Sequence, residues 1–263
     1  MSILDNSPFF IVGCVRSGTT LLRDVLRNHP GLAAPEETHF FRWAEPFGGI
    51  PYRKMVSDNR VLKRHRELDG IEESDFLKIL DQSISRADLY RRYMRLYIET
   101  NKPGARRWFD KTPQNVYGAA MIASEMPGAR FMHIVRHPLD VVSSLRIGKV
   151  MKVQNIVGAC NYWNEAAGII SVLKRAYPKR VYEVKYEDFT INPLIETEKM
   201  LGFLREDFDP KLYRHIKTEP RRHEHEKLFS EQELSQIQRL CRQWGAHYGY
   251  FKRDEAEVNK QDG

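Results

Sequence analysis

Apolar positions along the chain fall into short unbroken runs separated by longer stretches with helical spacing. Phe9-Phe10-Ile11-Val12-Gly13 is almost purely apolar, the pattern of a strand covered on both faces. A polar, glycine-bearing turn follows. Leu21, Leu22, Val25 and Leu26 then recur at helical spacing until Asn28-His29-Pro30-Gly31 stops them. Arg130 to Val135 predicts a second strong strand, with a helix beginning near Leu139 after His137-Pro138. Val181-Tyr182-Glu183-Val184 predicts a third. Further helices are predicted over about 115–126, 156–177, 194–204 and 231–248, the first broken by Pro127-Gly128. Between about 52 and 100 the chain is charged and helical in pattern. Phe76, Leu77, Leu80 and Ile84 make one apolar stripe there, and Leu89, Tyr93, Leu96 and Tyr97 another. Strands alternating with helices predict an α/β fold: a doubly wound parallel sheet flanked by helices, with a helical insert and a ligand site at the carboxyl ends of the strands.

Composition narrows the class. The 263 residues carry 42 Lys+Arg against 35 Asp+Glu, a net charge of +7, with 41% hydrophobic residues, which is ordinary for a globular chain. No internal repeat, low-complexity tract or linker is evident, so a single domain over 1–263 is expected, with the insert at about 52–100. No apolar run reaches the roughly 18 residues of a membrane span. Met1-Ser2-Ile3-Leu4-Asp5 lacks the basic stretch and apolar core of a signal peptide. Cys14, Cys160 and Cys241 are odd in number and far apart, which excludes a disulfide scaffold and fits a reducing, cytoplasmic setting. The positive balance points to an anionic ligand as readily as to a solvated basic surface.

Gly13-Cys14-Val15-Arg16-Ser17-Gly18-Thr19-Thr20 has the G-x-x-x-x-G spacing of a Walker A loop between a strand and a helix. Backbone N–H groups of such a loop and of the first helical turn converge on an anion, with the helix dipole behind them. Ser17, Thr19 and Thr20 add hydroxyl donors and Arg16 adds charge. A cap by Ser17 or Thr19 alone would require neither both glycines nor Arg16. Thr19 stands where a Walker A loop has its lysine, so the loop can hold a 5′-anion but lacks the usual group for γ-phosphoryl transfer.

These residues resemble the sulfotransferases that use 3′-phosphoadenosine 5′-phosphosulfate (PAPS), a family with a P-loop-like fold. Arg16-Ser17-Gly18-Thr19-Thr20 matches that family's 5′-phosphosulfate loop. The run from Phe131 through Arg136 to Ser144 matches its second element, a strand, an arginine and a serine eight residues on, which the resemblance assigns to the 3′-phosphate. Arg136 at a strand end and Ser144 about two turns into the next helix also face one crevice on spacing alone. Pro35-Glu36-Glu37-Thr38 closely resembles the tyrosylprotein sulfotransferases, whose second glutamate is the proposed base, mapping onto Glu37; His39 stands where that branch has an arginine. Lys111 matches a lysine that neutralises the leaving phosphate oxygen, and Tyr186 a tyrosine near the adenine nucleotide. The resemblance implies in-line sulfuryl transfer with Glu37, Lys111 and Arg16 as the catalytic set and PAPS as cosubstrate; with neither a Walker A lysine nor an identifiable metal-binding acidic pair in the sequence, no metal is expected. The nearest basic candidates for a C-terminal loop over the 3′-phosphate are Arg221 and Arg222.

The acceptor stays open between a small molecule, a saccharide and a peptide. Tyr90, Tyr93, Tyr97, Trp108 and Trp163 stand as candidate contacts, and the basic insert is either a solvated surface or a wall for an acidic substrate. His223-Glu224-His225 lacks partner ligands at metal spacing. Two other classes are weighed. A Mg-dependent nucleotide kinase or NTPase would use the same scaffold. A non-catalytic nucleic-acid-binding protein would use the basic insert but lacks a recognition helix or stacking sheet, so no nucleic-acid partner is expected.

Overall fold

The computed structural model describes residues 7–148, 151–219 and 225–252, the Glu226 side chain excepted. Strand β1 (Phe9–Val12) shows why its run is apolar throughout. Phe9 and Ile11 enter one core and Phe10 and Val12 the other, all four fully buried. Each such side chain contributes about 1.5–3 kcal/mol on burial. Helix α1 (Thr19–Leu26) packs Leu22, Val25 and Leu26 into the Phe9–Ile11 side. The chain then returns through β2 (Leu32–Ala33), two residues too short to register as a pattern.

The insert holds four helices: α2 (Ile50–Ser57), α3 (Arg60–Leu68), α4 (Glu73–Gln82) and α5 (Arg86–Asn101). The Asn59 side chain caps α3 and that of Ser85 caps α5. The expected stripes shift here. Ile84 lies beyond the end of α4 and is 88% exposed, and the buried face of α5 runs through Leu89, Tyr90, Tyr93, Met94 and Ile98. Lys54, Arg60, Lys63, Arg64, Arg91 and Arg95 are solvated, whereas Arg66 is buried against Glu73 and Arg86 donates to the Phe40 carbonyl.

Beyond the insert come β3 (Arg107–Lys111), a 3₁₀ turn over Pro113–Gly118, α6 (Ala119–Glu125), β4 (Arg130–Val135), α7 (Pro138–Ile147), α8 (Ile156–Ala176) and β5 (Val181–Lys185). Helices α9 (Tyr186–Ile191), α10 (Pro193–Leu204), α11 (His225–Leu228), α12 (Glu231–Leu240) and α13 (Arg242–His247) follow. The last predicted helix is thus divided at Cys241. All strand pairs are parallel, in the order β2-β3-β1-β4-β5 with helices on both faces, the doubly wound P-loop-like sheet expected. Strands are added on one side of β1 as far as β3 and on its other side from β4 onward. The carboxyl end of β1 is therefore the switch point at which such sheets open a crevice.

Candidate active site

The loop leaving β1 is shaped by two glycines. Gly13 has φ +150°, and a Cβ there would stand 2.8 Å from the Ile134 carbonyl oxygen on β4. Gly18 has φ +99°, and a Cβ there would meet Tyr186 Cδ2 at 2.5 Å. Between them Arg16 takes a left-handed φ of 71°, and the Ser17 amide closes the turn onto the Cys14 carbonyl at 3.2 Å. No side chain caps α1, so the amides of its first turn stay open to an anion. The Ser17 hydroxyl is buried without a hydrogen-bond partner among the described residues, an unsatisfied donor inside the loop.

Arg16 reaches across to α7, where its Nε donates to Ser144 Oγ at 2.9 Å. Arg136 follows the last residue of β4. Its guanidinium lies 4.4 Å over the Tyr186 ring, NH1 donates to the Arg16 carbonyl at 3.5 Å, and its own carbonyl accepts from Trp163 Nε1. Together these residues bound a cavity of about 460 Å³ that also takes in Gly18, Thr19 and Thr20. Lys217 and Thr218 form its far rim, and Thr218 is anchored by donating to the Thr190 carbonyl. Of the expected nucleotide residues only Ser17 does not line this cavity; it lies beneath the loop.

A second cavity, of about 470 Å³, shares Arg16, Thr19 and Thr20 with the first and contains Glu37 and His39. Lys111, at the end of β3 and level with Ile11, is buried. Its Nζ pairs with Glu37 Oε1 and donates to Thr20 Oγ1 at 3.2 Å. The cation missing from the loop sequence thus arrives from the neighbouring strand. Burial alone would raise the Glu37 pKa, but hydrogen bonds from His39 Nε2 and Lys111, with the lysine's charge, hold it at about 2. Burial pushes His39 down and keeps it neutral. Asp110, fully buried, accepts from Thr38 Oγ1, Thr112 Oγ1 and Asn115 Nδ2 and so ties the Glu37 loop to β3. Burial raises its pKa to about 7.

Some candidates are not where their composition suggested. Tyr90, Tyr93, Trp108 and Trp163 are core residues, and Tyr97 packs half-buried against them. The aromatic wall of the Glu37 cavity is Trp43 instead. The insert does wall this cavity, through Asn59, Val61, Leu62 and His65, none of them lysine or arginine. Sequence reasoning missed His65, whose Nδ1 lies 2.9 Å from the Glu37 carbonyl, because nothing local marks a residue 28 positions from its partner. Arg221, Arg222, His223 and Glu224 lie outside the described residues. His225 bonds Ser143 Oγ at 3.1 Å and pairs with Asp140 at 3.5 Å.

Comparison with known proteins agrees with this geometry. The family model described as "Sulfotransferase family" matches residues 8–210. Nodulation protein NoeE of Sinorhizobium fredii (strain NBRC 101917 / NGR234) is 28% identical over 138 residues, 52% of this chain and 30% of that protein. Protein-tyrosine sulfotransferase A of Caenorhabditis elegans is 24% identical over 216 residues, 80% of this chain and 53% of that protein. The chain therefore spans about a third and about half of the lengths of these two relatives. The sulfotransferase domain from the Synechococcus PCC 7002 olefin synthase aligns with TM-score 0.62 at 24% identity, covering 92% of this chain and 90% of that one. Mouse sulfotransferase SULT7A1, complexed with PAP, aligns with TM-score 0.53 at 12% identity over 98% and 90% of the two chains, a likeness of fold. The family match takes in the glycine loop, Glu37, Lys111 and the Arg136–Ser144 pair, and on it the chain belongs to the sulfotransferase family.

Proposed function

We propose that the protein transfers a sulfuryl group from PAPS to an acceptor hydroxyl or amine. The observation that carries the reading is the meeting of two cavities at Arg16, Thr19 and Thr20, one holding Arg136 and Ser144 and the other Glu37. The first suits an adenylate with two anionic ends. Open amides of α1, the unsatisfied Ser17 hydroxyl and Arg16 would hold the 5′ end, and Arg136 with Ser144 the 3′-phosphate. Tyr186 backs the loop from beneath. PAPS, when bound, supplies the sulfuryl group and a phosphate oxygen as leaving group.

The chain's own residues do the rest. Glu37 is ionised before the acceptor arrives and receives the proton released from its oxygen or nitrogen. Lys111, already poised at Thr20 Oγ1, supplies positive charge on the side of the phosphate loop, and Arg16 adds to it. Burial of Lys111 strengthens that charge relative to an exposed lysine. His39 holds the second carboxylate oxygen of Glu37 and fixes its direction. The three buried free thiols accord with a cytoplasmic setting.

Transfer of labelled sulfate from PAPS to a panel of alcohols, phenols, amines and saccharides, without added metal, tests the reading. Transfer to any acceptor that is lost in Glu37→Gln is expected. Mg-dependent ATP turnover with no transfer from PAPS would favour the nucleotide kinase instead.

A further inference from the structure

Helical spacing puts Leu62, His65, Arg66 and Asp69 on one face of α3 and its C-cap. Two of them fix that face inward. Leu62 is buried, and the Arg66 guanidinium pairs with Glu73, donates to the Val56 carbonyl and lies 3.9 Å over the Phe76 ring. The other two hold backbone in the loop that carries Glu37. His65 Nδ1 lies 2.9 Å from the Glu37 carbonyl oxygen, and because a carbonyl only accepts, Nδ1 carries the proton. Asp69 Oδ1 accepts from the Glu36 amide at 2.8 Å. One turn of α3 thus brackets Glu36 and Glu37, with an acceptor before them and a donor after.

Asp69 is itself held in place. It is 2% exposed, its Oδ2 accepts from the Tyr93 hydroxyl at 2.6 Å, and its carbonyl accepts from Asn101 Nδ2 at 2.8 Å, both on α5. A buried carboxylate is costly unless its hydrogen bonds are made, and one of these goes to the backbone of Glu36. Asp69 lines neither of the two cavities that meet at Arg16, so it bears on the reaction only through the segment it holds. The Glu37 carboxylate has both oxygens engaged, one by Lys111 and the other by His39. Its side chain therefore cannot swing to offset a shift of its own backbone without breaking one of those contacts.

Resting on the reading of Glu37 as the base, we infer that His65 and Asp69 are positioning residues for it. Through them the helical insert sets where the Glu37 carboxylate stands in its cavity. Neither takes part in the proton transfer. Asp69 is the cleaner probe of the two, since His65 also lines the Glu37 cavity.

The test measures kcat and KM for labelled-sulfate transfer from PAPS to the panel acceptor that the wild type sulfates fastest. Asp69→Ala removes the acceptor for the Glu36 amide and should lower kcat on the order of 10²-fold, the cost of a misplacement of about 1 Å. KM for PAPS and PAP affinity should stay as they were. Asp69→Asn keeps an oxygen for the Glu36 amide and should restore most of the rate. His65→Ala should lower kcat too, and His65→Asn, whose side-chain N–H stands near the Nδ1 position, should restore it. In a Glu37→Gln background neither alanine substitution should lower the residual rate further, because the group they position is gone. A PAP-induced rise in Tm confirms folding, and should Asp69→Ala fail to fold, the partly exposed His65 carries the same comparison. Wild-type kcat in the folded alanine variants, asparagine variants no better than alanine, or a full loss persisting in the Glu37→Gln background would each overturn the inference while sulfuryl transfer stands. Transfer untouched by Glu37→Gln, or no transfer to any acceptor, overturns the base reading and the inference with it.

Discussion

Lys111 and Glu37 form a buried ion pair that joins the carboxyl end of β3 to the loop after β2, and the same lysine ammonium donates to Thr20 at the start of α1. The proposed base, the glycine loop and the buried lysine are thereby one connected unit. Glu37→Gln keeps the shape and removes the charge. We expect kcat to fall by about 10²–10⁴-fold, the range for losing a positioned base, with PAP affinity unchanged because Glu37 does not line the nucleotide cavity. Steady-state kinetics and calorimetry on one preparation check both halves.

Removing the lysine has a signature in pH. Burial favours the neutral form of Glu37, and hydrogen bonds and charge from His39 and Lys111 reverse that and hold the carboxyl at about 2. The wild-type base is therefore ionised throughout the range above pH 4. In Lys111→Met only the His39 hydrogen bond still opposes burial, so the Glu37 pKa climbs. A kcat–pH profile should then acquire an acid limb absent from the wild type, besides an overall loss of rate.

Arg136 is held over the Tyr186 ring and bonded to the loop carbonyl of Arg16, so its position does not depend on ligand. Arg136→Ala should weaken PAP binding by at least about tenfold, from loss of a charge-assisted contact, and should leave AMP binding nearly as it was. Equal losses for PAP and AMP would place Arg136 elsewhere in the site than at the ribose phosphate.

Asp110 gives a stability test. Burial raises its folded-state pKa to about 7, well above the ordinary carboxylate range, so between about pH 4 and 7 the native protein holds a proton the unfolded chain has released. Its contribution is fully present below about pH 4 and is lost as pH rises toward 7. Asp110→Asn should flatten that slope and, by turning an acceptor toward Thr38 and Thr112 into a partial donor, cost about 1–3 kcal/mol. Denaturant titrations at pH 5 and pH 8 measure both effects.

The parts legible in the sequence are those in which neighbours in the chain are neighbours in space. β1, its glycine loop and α1 are contiguous, and β4 with Arg136 and Ser144 follows the same strand–turn–helix logic. Composition could not say which way an aromatic ring faces. Tyr90 and Trp108 stack on each other in the core at 4.7 Å, while Trp43, with no periodic pattern about it, walls the cavity. Ile84 satisfied a helical period but lies past the last turn of α4, where no partner covers it. The Glu37–Lys111 pair spans 74 residues and the His65–Glu37 bond 28. Such contacts are set by sheet order and insert packing, so only the residue types were visible.

The central claim is that the crevice beyond β1 is built for an adenylate bearing a second phosphate on its ribose. Isothermal titration with PAP, AMP and ATP in metal-free buffer tests it most directly. PAP should bind more tightly than AMP by about tenfold or more, the worth of its extra charge-assisted contact, and more tightly than ATP. Equal affinities for PAP and AMP, or ATP binding that tightens past PAP when Mg²⁺ is added, would contradict the account.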